Sequence, residues 1–124
     1  MALSPEFRAL IEELLAPLGP VSVRRMFGGA GMFYEGVMFA LISGDTLYLK
    51  TDDRNRARFE AEGCPPFTYR AKDGRNTVLS YFRAPERLID EPDELLDWCR
   101  SAIEAALRAH VGKKNGKKVK SRRR

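Results

Sequence analysis

Apolar side chains recur along this chain with two periods, and each period marks a kind of element. Phe7, Leu10, Ile11, Leu14, Leu15 and Leu18 follow the i, i+3, i+4, i+7 spacing of one buried helical face. Ser4-Pro5-Glu6 supplies a hydroxyl cap, a proline at the first helical position and an acid in the first turn. Pro17 and Gly19-Pro20 stop that helix. Leu95, Leu96, Cys99, Ala102, Ile103, Ala106 and Leu107 form a second stripe, in a helix predicted to start near Asp90-Glu91-Pro92 and to close at Gly112. Asp93 and Glu94 sit at its positive end and Arg108 near its negative end, where Glu104 and Arg108 make an i, i+4 pair. A short, mostly charged helix is predicted between them, capped by Thr51-Asp52-Asp53 and ended near Glu62 by Gly63. Phe59, with Ala57 or Ala61, must dock it.

The other period is two. Thr46–Lys50 alternates cleanly, with Leu47 and Leu49 on one side and Thr46, Tyr48 and Lys50 on the other. Val37–Ile42 is apolar at six consecutive positions, so both of its faces require cover. It meets Met32–Glu35 at Glu35-Gly36 and turns into Thr46–Lys50 through Ser43-Gly44-Asp45. Val21–Met26 can extend into a strand, and the glycines at 28, 29 and 31 let the backbone turn sharply after it. Phe67–Ala71 and Thr77–Arg83 flank a hairpin turn at Lys72-Asp73-Gly74-Arg75. The predicted order is α-β-β-β-α-β-β-α: an α+β fold with one antiparallel sheet and its helices on one face. Three short helices cover one sheet face, and a second copy is expected on the other, as a homodimer.

Charge divides the chain. Its 124 residues hold 22 Lys+Arg and 17 Asp+Glu, a net charge of +5. Lys113, Lys114, Lys117, Lys118, Lys120, Arg122, Arg123 and Arg124 supply eight of the positive charges, so residues 1–112 sum to −3. We therefore expect a folded domain over 1–112 and a disordered basic tail over 113–124, whose cations are the candidate nucleic-acid contacts. A solvated, solubilising tail is the level alternative. No apolar run reaches bilayer length. The first residues lack the basic and apolar regions of a signal peptide, and a cytoplasmic location is expected.

Candidate chemistry is sparse. Arg24-Arg25-Met26-Phe27-Gly28-Gly29 brings two guanidiniums to a glycine cluster, a composition that can cradle an anion. The spacing matches neither dinucleotide nor phosphate-loop motifs, and a strand follows rather than a helix. An architectural bend, or a partner surface, is the stronger reading. His110 is the single histidine and reads as a helix-end cation. Asp52 and Asp53 could pair for acid–base work but stand where caps stand. Cys64 and Cys99 lack metal or redox spacing. Cys99 falls on an apolar stripe, and Cys64 lies in a loop before Pro65-Pro66. Tyr34, Tyr48, Tyr69 and Tyr81 could stack on bases, although no basic and aromatic motif frames them. No catalytic residue, cofactor or metal is expected.

These segments together resemble the TfoX (Sxy) N-terminal domain family of bacterial competence regulators. The likeness rests on Arg24–Gly29, on Gly36-Val37-Met38-Phe39-Ala40-Leu41-Ile42, on Leu47-Tyr48-Leu49-Lys50 with Asp52, and on Tyr81 with Asp93-Glu94-Leu95-Leu96-Asp97-Trp98. It covers roughly residues 5–110. The resemblance implies a secretion-chaperone-like fold and no enzymatic activity. It also implies a role in competence-gene transcription alongside the cyclic-AMP receptor protein. Name-giving members carry a C-terminal helical domain where this chain has its basic run. The expected function is a regulatory interaction module with a protein partner, such as a transcription factor, acting near DNA and not at a membrane. A dimeric peptide-binding adaptor is the alternative, and an anion- or nucleotide-binding enzyme at 24–31 the distant one.

Overall fold

A computed structural model describes residues 4–26, 28–70 and 74–122, with the side chains of 76–78 and 113–122 outside that description. Helix α1 (Pro5–Leu15) is capped as its sequence dictates: the Phe7 N–H donates to Ser4 Oγ at 3.2 Å. Four strands follow, β1 (Val21–Met26), β2 (Gly29–Tyr34), β3 (Val37–Ser43) and β4 (Thr46–Lys50). Helix α2 (Arg56–Ala61), strands β5 (Pro66–Arg70) and β6 (Asn76–Arg83), a 3-10 segment at Glu86–Asp90 and helix α3 (Pro92–Arg122) complete the chain. The strands form one antiparallel sheet in the order β1-β2-β3-β4-β6-β5.

The α+β class, the single antiparallel sheet and the three helices agree with the sequence reading. The first strand group holds four strands, not three, because Gly28 turns the chain at φ 75 and Val21–Met26 pairs along its length with Gly29–Tyr34. The β2–β3 turn is Glu35-Gly36, at φ 50 and 83, the positive-φ pair a two-residue hairpin favours. In the β5–β6 turn, Ala71, Lys72 and Asp73 lie outside the described residues, as does Phe27 in the glycine motif.

Helix α2 starts at Arg56, later than its expected cap at 51–53. A turn built by Asp52 and Asn55 precedes it, with the Asp52 N–H donating to Asn55 Oδ1 at 2.8 Å and the Arg54 N–H to Asp52 Oδ1 at 3.0 Å. Helix α3 does not close at Gly112. That glycine keeps a negative φ, so it is no left-handed stop, and helical backbone runs on to Arg122. The expected disordered basic tail, 113–124, falls on residues whose side chains (113–122) or whole positions (123–124) lie outside the described residues.

One side of the sheet carries the main core. Ile11 and Leu15 of α1, Phe59 of α2, Leu88, and Leu95, Cys99 and Ala102 of α3 pack onto Met32, Ala40, Ile42, Leu47 and Leu49. A bulge between β2 and β3 joins them: Met32 pairs with Ala40 and Phe33 with Met38, leaving Phe39 as the extra residue, also buried in this core. Two stripe positions were misplaced, since Leu10 and Leu107 are 38% and 37% exposed. Each sits at the margin of its helix's buried arc. Cys99 is buried as expected, and burial pushes its thiol up to about 12. Cys64, in the loop before Pro65-Pro66, is also buried, which raises its pKa.

Candidate docking face of the sheet

The opposite sheet face is held by a second cluster to which no described helix residue contributes: Leu41, Phe67 and Tyr81 are buried, with Met26, Met38, Tyr48, Tyr69 and Leu79 half-buried around them. Strand alternation sends Leu41 to this side while Ala40 and Ile42 enter the main core. The expectation of a second copy rested on both faces of Val37–Ile42 needing cover. The chain itself covers Leu41, with aromatic side chains from later strands. Tyr48 and Phe67 meet edge to face at 4.9 Å across the intervening β6. Tyr81 reaches back past β4, its hydroxyl donating to the Met38 carbonyl at 3.1 Å. Burial pushes that phenol up to about 12, so it stays a donor at any physiological pH. Neighbouring strands lie about 4.8 Å apart, so only long side chains on a twisted sheet can make such contacts.

Toward β1 the same face opens. Met26, Phe33 and Met38 are half-buried there. A Cβ on Gly31 would stand 2.8 Å from Met38 Sδ and 2.9 Å from Met26 Sδ, so both thioethers close over the bare glycine. Thioether side chains repack easily and suit a surface that accepts a partner. Cations border the patch. The Arg24 guanidinium lies 4.9 Å from the Phe33 ring centroid, and Lys50 Nζ lies 5.2 Å from that of Tyr81. Burial lowers the Lys50 pKa, and the charge of Asp52 works against that shift.

The structure separates residues that the sequence grouped. Arg24 and Arg25 are adjacent on a strand and therefore project to opposite sides. Gly29 abuts the Ile42 backbone, and Gly31 sits beneath the two methionines. The glycines thus serve close strand approach, and the two guanidiniums do not converge on one anion. Asp52 and Asp53 also part company. Asp52 accepts from Arg108 at 2.6 and 3.0 Å, which holds its carboxyl below the usual range, and Asp53 pairs with Arg56 on the surface at 2.6 Å. His110 is exposed on α3. Among the described residues no cluster of three or more His, Cys, Asp or Glu could hold a metal ion, and no helix is long and apolar enough to cross a membrane. Tyr48, Tyr69 and Tyr81 do share this face, while Tyr34 packs against the helix-covered core. Sequence alternation within one strand could place Tyr48, but only the strand order brings the other two beside it.

A sheet with one helix-covered face and one open, aromatic face thus spans the middle of the chain, and that region corresponds to a known family. The TfoX N-terminal domain family matches residues 13–106. The chain belongs to that family. The matched stretch starts inside α1, takes in all six strands and ends on α3, so the TfoX N-terminal domain includes the whole of this open sheet face. The chain is 38% identical over 87 residues to DNA transformation protein TfoX1 of Aliivibrio fischeri, an overlap covering 70% of this chain and 41% of that protein. It is 29% identical over 97 residues to protein Sxy of Escherichia coli, covering 78% and 46%. It therefore spans less than half the length of these TfoX-type relatives.

Proposed function

We propose that this domain is a non-enzymatic regulatory module of competence type, docking a protein partner on the sheet face that no described helix residue covers. One observation carries the reading: Met26, Phe33 and Met38 form an accessible apolar patch beside Arg24, with no described helix over it. An apolar patch bordered by cations suits a partner that presents apolar side chains flanked by acids. Membership of the TfoX N-terminal family supports transcriptional control of DNA uptake, in the cytoplasm, as the setting. The partner in this reading is a transcription factor, and the cations of 113–124 add weak, sequence-indifferent contact with nucleic acid.

Site-specific photocrosslinking tests this. A crosslinker at Phe33 should capture a discrete protein species in the native cytoplasm, and one at the exposed Glu13 of α1 should not. Arg24→Glu should weaken the capture. Equal crosslinking from both positions would overturn the proposal.

A second reading has its own observation. Strand β1 is paired on one side only, so its outer edge can accept an extended peptide as an added strand. That supports the peptide-binding adaptor. A homodimer can use the same edge or the Met26–Met38 patch, and light scattering after size exclusion should then report twice the monomer mass.

A further inference from the structure

Strand β1 ends the sheet, and its outer edge is bare. It pairs with β2 over six residues without a break, so three of those residues aim their N–H and C=O groups outward. Among the described residues no other backbone hydrogen bond reaches them. None of the six is fully buried. The opposite edge of the sheet is blunted: β5 begins with Pro66, which has no N–H, and its register with β6 shifts between Pro66 and Thr68. Strand β1 carries neither device. Charge marks what the bare edge can take. The six strands hold five Lys or Arg and no Asp or Glu. Two of the five, Arg24 and Arg25, stand side by side on β1, one toward each face of the sheet. Their cross-strand partners in β2 are Gly31 and Ala30, which offer no acceptor side chain. Both arginines are exposed, and among the described residues neither makes an ion pair. A chain laid along the edge would place its side chains about 5 Å from those of β1.

Resting on the peptide-adaptor reading, we propose that β1 accepts an extended acidic segment of another protein as an added strand. Two adjacent carboxylates of that segment pair with Arg24 on one face and Arg25 on the other. A second copy of β1 is disfavoured there, because full antiparallel overlap would gather four guanidiniums within a few residues. The same two cations guard the edge against neutral strands, so the acid pair supplies selectivity as well as attraction.

Three blocked decapeptides of alternating Thr and Val, with Glu-Glu, Gln-Gln or Lys-Lys at the centre, are titrated into the full chain labelled with nitrogen-15. The basic run of 113–124 also attracts acids, so binding is read only from the β1 amides, by their shifts and their protection from hydrogen exchange. The Glu peptide should bind β1 on the order of tenfold tighter than the Gln peptide, the effect of two cross-strand ion pairs. The Lys peptide should bind weakest. Arg25→Gln should remove part of that preference, and Arg24→Gln with Arg25→Gln all of it. Arg25 projects away from the face that carries Met26 and Met38, so its replacement separates the edge from that patch. The comparison of peptides on the unmodified chain stands even if the double variant folds poorly. Equal affinity of the Glu and Gln peptides for β1 would overturn the acid preference and leave the adaptor reading standing. A β1 that responds to none of the three would overturn both. Shifts from the Glu peptide confined to β3, β4 and β6, or to the basic run, would also overturn the proposal.

Discussion

Arg108 of α3 donates from both Nε and Nη2 to the two carboxylate oxygens of Asp52, at 2.6 and 3.0 Å, across 56 positions of sequence. The pair ties the last helix to the turn that leaves β4. Asn55 reinforces the joint, its side-chain amide donating to the Lys50 carbonyl at 3.1 Å and to Ser101 Oγ at 3.2 Å. Both charged side chains are partly shielded, at 31% and 25% exposure.

A double-mutant cycle with Asp52→Asn and Arg108→Met should give a coupling of about 1 kcal/mol, above the value of a freely solvated pair because the fork is bidentate and partly buried. Urea unfolding of the four proteins measures it. Coupling indistinguishable from zero would make the pair a surface contact without energetic weight.

The second ionic joint predicts how stability responds to acid. Arg87 donates to Glu62, Glu91 and Glu94, and Glu94 also accepts from Trp98 Nε1 at 3.2 Å. The Arg87 hydrogen bond, chiefly, lowers the Glu94 pKa from 4.5 to about 2. A carboxyl with a depressed folded pKa stabilises the fold above its unfolded pKa. That contribution is lost as pH falls through the folded value. Stability should therefore decline between pH 4.5 and about 2. Arg87→Met should flatten the decline, and added salt should shrink it because these groups face solvent. Chemical denaturation across that window checks the sign, and an unchanged slope in the variant would remove Arg87 as its cause.

The glycines of β2 and of the turn after it should not be equivalent. A Cβ on Gly29 would lie 1.8 Å from the Ile42 carbonyl oxygen, part of the backbone of the next strand. Gly29→Ala should cost at least ~2 kcal/mol, since a strand must move. A Cβ on Gly31 meets only the flexible ends of Met26 and Met38, so Gly31→Ala should cost less. Gly36 has open space but φ 83, and Gly36→Ala should cost about 1 kcal/mol in backbone strain. Melting temperatures rank the three, and a Gly29→Ala protein as stable as the other two would contradict the packing argument.

Affinity for polyanions should reside in the basic segment. Residues 1–112 sum to −3 and should repel DNA, whereas eight cations follow them. If about five engage phosphates, the log–log salt slope should be near −4 to −5. Replacing Lys113, Lys114, Lys117, Lys118 and Lys120 with glutamine should flatten that slope and weaken binding alike on unrelated sequences. Retention of the full slope would locate the basic surface on the folded body instead.

The amino-acid sequence by itself determined the elements whose side chains repeat with one period. The Ser4 cap and the Ile11–Leu15 face of α1, the alternation of Thr46–Lys50, and the Leu95–Ala106 stripe of α3 all follow from it. So does the turn at Glu35-Gly36. Each is a relation among residues a few positions apart, where helix and strand geometry leave few choices. Partners across the fold were decided only by tertiary structure. Asp52 had the residue type and position of a cap, yet it belongs to Arg108. Leu41 looked in need of a second copy, yet Phe67 and Tyr81 cover it once β6 is inserted between β4 and β5. Arg24 and Arg25 are neighbours in sequence but part at the first alternation of their strand. Periodicity tells a side chain which side of its own element it occupies. What waits on that side depends on strand order and register, which are settled by the packing of the whole sheet.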